Sequence, residues 1–189
     1  MSNLLASEAF SFPKIALAGT VDYEMYNTFR SQLANTTADD ELVVVQISTL
    51  GGDPEVARLM GEAVRFESQL SPKKRIVFLG AAYVYSAGAT FMSFFSRENR
   101  YLTRGTRLMV HERRILKSIA LDGPLTMCIA TVEATLNEIR ASIAIQNEGF
   151  ANLALGSTVS VEEIKARAPS NWYIDAEDAL RLGLVESVL

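Results

Sequence analysis

Ser86 lies in the stretch Tyr85-Ser86-Ala87-Gly88-Ala89, where only small residues follow its hydroxyl. It stands between a strand-like run ending near Leu79 and a new apolar helix. A helix start leaves backbone N–H groups free and carries partial positive charge, which suits a developing oxyanion. Gly51-Gly52 offers a second tight turn at a helix start, and His111, the sole histidine, ends a strand downstream. A nucleophile, a base and N–H donors are the parts of acyl transfer. In that reading Ser86 attacks, His111 takes its proton, and the N–H groups of Gly52 and Ala87 hold the oxyanion. Each such donor is worth about 3 kcal/mol of barrier. The plainer alternatives are an ordinary N-cap for Ser86 and a structural role for His111.

The surrounding pattern is that of repeated strand–turn–helix units. Lys14–Ala18 reads as a short strand, and Asp22 caps a helix to about Asn35 carrying Tyr26, Phe29, Arg30 and Leu33 on one side. Leu42–Ile47 is a continuous β-branched run suited to a buried strand. Asp53 reads as N-cap and Pro54 as first residue of a helix to Leu70, with Val56, Leu59, Met60, Ala63 and Val64 at helical spacing. Arg75–Leu79 is the next strand, and the helix at Ser86 runs to about Ser96. Repetition of this unit predicts an α/β fold with helix starts gathered at strand C-terminal ends.

Farther on, Arg100–Leu102 and Arg107–His111 read as two short strands around a turn at Thr103–Thr106. Arg113–Leu121 reads as a strand or an irregular arm, broken by Gly123-Pro124. The longest helix spans Leu125 to about Leu153 with a stripe of Leu125, Ile129, Val132, Leu136, Ile139 and Ile143. Core packing is the first reading of such a stripe, and contact with a second copy is the other. Ser160 with Glu163 makes a capping box. A brief strand at Asn171–Ile174, a helix capped by Asp175 and stopped by Gly183, and a strand at Leu184–Leu189 close the chain. We expect one domain over residues 1–189, with residues 1–13 a loosely structured lead-in.

Composition narrows the function classes. The 189 residues are 49% hydrophobic and 21% charged, with a net charge of −4. There is no basic block, so nucleic acid is not an expected partner. A single cysteine, Cys128, excludes an intrachain disulfide, and one His with one Cys makes no zinc site, so neither metal nor cofactor is expected. The N-terminus lacks the basic and apolar regions of a signal peptide, and apolar runs fall short of the roughly 20 residues of a spanning helix. We expect a cytoplasmic protein with no membrane partner.

These residues together resemble the proteolytic subunit of the Clp protease, a serine peptidase with a crotonase-like fold. The resemblance runs from about Lys14 to the C-terminus. Ile15-Ala-Leu-Ala-Gly19-Thr-Val21 is similar to the family's "I-x-L-x-G-x-V", and Ile47-Ser48-Thr49-Leu50-Gly51-Gly52 stands where the family has "I-N-S-P-G-G". Tyr85–Ala89 is similar to "A-S-M-G-A" and Leu108–His111 to "I-M-I-H". Ala176–Val185 follows "A-x-E-A-x-x-Y-G-L-V".

The resemblance implies a nucleophile at Ser86, a base at His111 and an oxyanion donor in the glycine turn. It also implies polypeptide substrates, a homo-oligomeric ring in which the long helix joins copies, and an ATP-driven unfoldase as partner. The chain departs from the family at Ser48, at Leu50, and at Glu112–Lys117, which replaces a glycine-rich strand. Counting back from Ala179, the family's orienting Asp falls on Arg167, and arginine accepts no hydrogen bond. Asn171 is then the nearest acceptor for the imidazole, with Asp175 next. A catalytically impaired structural or regulatory subunit is the alternative function. A crotonase-type acyl-CoA enzyme is weaker, for want of paired glutamates and a basic cluster for CoA.

Overall fold

The computed structural model describes residues 8–37 and 39–189. In chain order the elements are β1 (Ile15–Ala18), α1 (Tyr23–Ala34), β2 (Leu42–Thr49), α2 (Pro54–Leu70), β3 (Arg75–Tyr85), α3 (Ala87–Met92), β4 (Arg100–Leu102), β5 (Arg107–Val110), α4 (Leu125–Ala154), α5 (Val161–Arg167), β6 (Trp172–Asp175), α6 (Ala176–Arg181) and β7 (Ser187–Val188). The strands form a seven-stranded sheet along the path β1-β2-β3-β4-β7, with β5 on β3 and β6 on β5. Every pairing is parallel except β5 with β6.

Local signals place the helix starts. Asp22 accepts from the Met25 N–H at 2.9 Å, Asp53 from Glu55 at 2.8 Å ahead of Pro54, and Ser160 from Glu163 at 3.1 Å. Each side-chain oxygen satisfies an N–H that the helix itself leaves free. Met25, Phe29 and Leu33 are the buried residues of α1, so its inner face sits one position from the Tyr26–Arg30 side of the sequence reading. On α2 the buried set is Val56, Ala57, Met60, Gly61 and Val64, while Leu59 is exposed. These faces join β1–β3 and α3 in the main core, where Phe78, Phe91 and Phe95 pack edge-to-face.

The longest strand departs from the sequence reading. β3 does not stop at Leu79 but continues to Tyr85, and α3 ends at Met92, short of Ser96. The register against β2 jumps from Ile47↔Gly80 to Thr49↔Val84, and Ala82 takes a positive φ of 60°. This irregularity divides β3 into two halves. Phe78–Gly80 pair with β4, and Tyr83–Tyr85 pair with β5. β4 and β5 therefore make no hairpin with each other; both are parallel neighbours of the same bent strand.

Other corrections follow the same logic of tertiary packing. Residues 8–11 of the expected lead-in are helical, and Phe10 packs on Tyr101 at 4.9 Å over the second apolar face of the sheet, around Val44, Val77 and Leu79. Residues 1–7 lie outside the described part. Residues 111–124 have no regular secondary structure, so the arm alternative holds. The last strand shrinks to Ser187–Val188. Asp175 precedes α6, but its carboxylate pairs with Arg107 at 2.7 Å and does not cap the helix.

The α4 stripe does not enter the core. Leu125 is 82% and Ile129 58% exposed, and Val132, Leu136 and Ile143 are exposed as well. The core-packing reading of this stripe is therefore wrong for the isolated chain. Apolar periodicity reports a face that buries, without saying against what. Among the described residues no helix is long and apolar enough to cross a membrane, and no cluster of metal-ligating side chains occurs.

One partly buried ion pair makes stability pH-dependent. Lys74 is buried, with its Nζ 2.9 Å from Glu67 Oε1 and 3.1 Å from Thr36 Oγ1. The hydrogen bond from Lys74 holds the Glu67 carboxyl below its ordinary 4.5, against the opposing effect of burial. A depressed folded-state pKa gives stability that is present above the unfolded-state pKa and lost as pH falls through the folded one. Acidification from about pH 7 to about pH 3 therefore destabilises the wild type more than Glu67→Gln in urea titrations. Equal losses in the two proteins would remove this pair from the account of acid sensitivity.

Candidate active site

The bent strand brings Ser86 and His111 together. Tyr85 is in register with Met109 on β5, and the Ser86 N–H donates to the Met109 carbonyl at 2.9 Å. Ser86 and His111 thus project from neighbouring parallel strands just beyond their C-terminal ends, where open α/β sheets form their clefts. Ser86 Oγ and His111 Nε2 are 2.6 Å apart. The sequence separation of 25 residues is bridged by this pairing alone.

Ser86 is not an ordinary cap. Its φ of 54° and ψ of −112° lie outside the usual regions for a side-chain-bearing residue, and its hydroxyl makes no capping bond to α3. Such strain is retained where the surrounding structure enforces it, and it clusters at functional sites. Here the strain turns Oγ away from the helix N–H groups and toward the imidazole.

The glycine turn abuts the same serine. Gly51 has φ 116°, and a Cβ there would stand 2.9 Å from the Ser86 Cβ. Gly52 has φ 150°, and its missing Cβ would strike the Val21 carbonyl oxygen at 2.3 Å. Val21 N–H donates to Gly51 O and Asp53 N–H to Val21 O, so this bridge uses the groups flanking Gly52. The N–H groups of Gly52 and Ala87 have no hydrogen-bond acceptor among the described residues.

Among the described residues His111 has no acidic partner. Burial and the nearby Arg114 guanidinium hold its pKa below the ordinary 6.5, and a main-chain hydrogen bond at Glu112 opposes them. Arg167 is engaged elsewhere: it pairs with Glu163 at 2.6 Å and lies over the Trp172 ring at 4.8 Å. Asn171 is closer to the site in topology. β5 and β6 pair antiparallel up to Val110↔Trp172, and His111 and Asn171 are the residues that adjoin this last pair. Its φ of 56° ends the preceding turn, and its side chain makes no hydrogen bond among the described residues. Asp175 lies at the far end of β6, opposite Arg107.

A cleft of about 40 Å³ opens beside the pair. Its walls include Ser86, Thr90, His111, Arg113, Gln146 and Phe150. Arg113 and Gln146 were absent from the sequence reading of the site. The signal for Arg113 was its place two residues past His111, which in extended chain returns a side chain to the same face. Gln146 carried no signal, since α4 contributes it from the middle of a long helix.

Comparisons with known proteins show the family. The family model described as Clp protease matches residues 2–189. The ATP-dependent Clp protease proteolytic subunit 2 of Pseudomonas aeruginosa is 27% identical over 186 residues, covering 98% of this chain and 85% of that one. The ATP-dependent Clp protease proteolytic subunit of Paracoccus denitrificans is 28% identical over 185 residues, covering 97% and 85%. Among solved structures, an Asn-to-Asp mutant of ClpP1 from Listeria monocytogenes superposes with a TM-score of 0.72 at 18% identity, covering 98% of this chain and 95% of that one, a likeness of fold. With the match spanning nearly the whole chain, this protein belongs to the Clp protease family.

Proposed function

We propose that the chain is a serine endopeptidase subunit of the ATP-dependent Clp type, cutting unfolded polypeptides inside an oligomeric ring. The observation that carries the reading is the 2.6 Å contact between Ser86 Oγ and His111 Nε2. In this mechanism neutral His111 accepts the hydroxyl proton through Nε2 as Oγ attacks the scissile carbonyl carbon. The carbonyl oxygen becomes an oxyanion, and the unpartnered N–H groups of Gly52 and Ala87 supply donors for it. His111 then passes the proton to the leaving amine, and a water repeats the sequence to release the acyl group from Ser86. The exposed α4 stripe supports assembly into a ring, and an unfoldase would supply the ATP hydrolysis. A fluorophosphonate reagent is expected to label Ser86 in the wild type and to label nothing in Ser86→Ala. Failure to label the wild type under conditions that modify a related Clp peptidase would overturn the peptidase reading.

Asn171 is proposed as the residue that orients His111. Its amide oxygen can accept from Nδ1–H, as an asparagine does in papain-like peptidases. Asn171→Asp is expected to raise kcat about 10-fold or more, within the roughly 10⁴-fold span that an orienting acid commands. The new carboxylate also stabilises the imidazolium. The acid limb of kcat/KM, which for the wild type lies below pH 6.5 because the base pKa is lowered, then moves to higher pH. An unchanged pH profile would remove residue 171 from the imidazole's surroundings.

A second reading is favoured by one observation: among the described residues no carboxylate contacts His111, and Arg114 disfavours its charged form. A subunit so disposed would assemble without cutting. Rings that hydrolyse neither unfolded casein nor short fluorogenic peptides, while remaining folded, would favour this reading.

A further inference from the structure

The cleft beside Ser86 is lined by two side chains that carry unpaired hydrogen-bond donors. Arg113 is the one formally charged residue on its wall among the described residues. Its Nη1 lies 2.5 Å from Glu55 Oε1, a side chain more than half exposed to water. Its Nη2 is buried and has no acceptor. A buried donor left unmade is costly, so such a group calls for a partner.

Gln146 adds a second donor. Its Oε1 accepts from the Arg113 backbone N–H at 2.7 Å. A backbone N–H can only donate, so this bond fixes the amide orientation and leaves Nε2 as the free end. Nε2 has no acceptor among the described residues. Arg113 and Gln146 both line the space that holds Ser86 and His111, beside the apolar Val110, Ile145, Phe150 and Leu153. Its volume of about 40 Å³ exceeds the roughly 10–15 Å³ that one water needs. That suits a short side chain ending in a carboxylate.

The position of the cleft says which substrate residue enters it. Ser86 Oγ bonds to the carbonyl carbon of the residue on the acyl side, and that residue's Cβ is two bonds from the reacting carbon. A pocket with Ser86 in its wall receives this side chain. We infer that Arg113, with Gln146, is a specificity determinant that selects Asp or Glu on the acyl side of the scissile bond. The inference rests on the peptidase reading above and names the substrate class that this site prefers.

The test uses the full-length protein and matched fluorogenic peptides that differ only in the acyl-side residue: Asp, Asn, Glu, Gln, Leu and Lys. The wild type is expected to favour Asp over Asn, and Glu over Gln, by about 10- to 100-fold in kcat/KM, the span of a charge-assisted hydrogen bond. Arg113→Met is expected to bring both ratios near one, and Arg113→Lys to retain part of the preference. Because each ratio is internal to one protein, a change in overall activity cancels. Should Arg113→Met not fold, the wild-type ratios still decide. Hydrolysis with acid/amide ratios near one, or with ratios unmoved by Arg113→Met, overturns the inference and leaves the peptidase reading standing. Absence of both hydrolysis and Ser86 labelling in the wild type removes that reading, and this inference with it.

Discussion

Replacing Ser86 with Ala, or His111 with Ala, is expected to lower kcat/KM for peptide hydrolysis by at least about 100-fold, with the double replacement costing no more than either single one. The lower bound follows from the state of the third group. In subtilisin, removing Ser or His costs about 2 × 10⁶ in kcat, whereas removing the acid alone costs about 3 × 10⁴. A site whose acid contributes nothing therefore keeps about 10² from the serine–histidine pair itself. A fully oriented base would give the larger figure. The size of the loss thus measures how well the imidazole is oriented. Non-additivity is expected because the contact at 2.6 Å makes the two side chains one functional unit. Two losses that multiply would mean that Ser86 and His111 act separately, and the proton-transfer mechanism would fail.

The second large effect is on stability. Arg100 is only 1% exposed, yet no carboxylate among the described residues pairs with it. Its guanidinium donates to five main-chain carbonyls: Phe95 at 2.8 Å, Leu153 at 3.3 Å, Leu184 at 3.3 Å, Ser93 at 3.4 Å and Asn152 at 2.8 Å. These belong to the segment after α3, the last turn of α4 and the chain leading into β7. One side chain therefore caps the C-terminus of α4 and ties it to the sheet. Burial pushes the Arg100 pKa down to about 10, so the group remains cationic at neutral pH.

Arg100→Met keeps the length and removes the donors. It relieves the desolvation of the cation but strands carbonyls that water cannot readily reach. We expect a net loss of about 3–5 kcal/mol, on the scale of breaking a buried charged network. For a chain of this size that lowers Tm by about 10 °C. Arg100→Lys is expected to rescue little, because an ammonium has three donors and no planar fork to span the five carbonyls. Thermal melting of both variants checks this. A Met variant that melts with the wild type would show that solvent replaces the network.

What could be read before folding was local. Asp22, Asp53-Pro54 and Ser160 announce helix starts because a cap needs only its own next few N–H groups. The β-branched run at Leu42–Ile47 announces a buried strand for the same reason. The candidate nucleophile and base were legible as residue types: a serine followed by small residues, and the sole histidine at a strand end. Their spacing along the chain agreed with a known family.

Contacts between distant segments were not legible. Nothing local says that β3 bends at Gly80–Ala82 and gives its second half to β5, and that pairing is what sets His111 against Ser86. A gapless count put the orienting position on Arg167, whereas the antiparallel pairing of β5 with β6 ends at Val110↔Trp172, next to Asn171 and His111. Register is a property of two strands, and a count along one of them does not contain it. The α4 stripe shows the same limit, because an amphipathic face looks alike whether it meets a core or another chain. Nothing in the sequence sets Arg100 and Arg113 apart from the other arginines. Only the fold surrounds the first with carbonyls and leaves the second with a buried, unpartnered N–H, because burial and partners are decided by what packs on a residue and not by its neighbours in the chain.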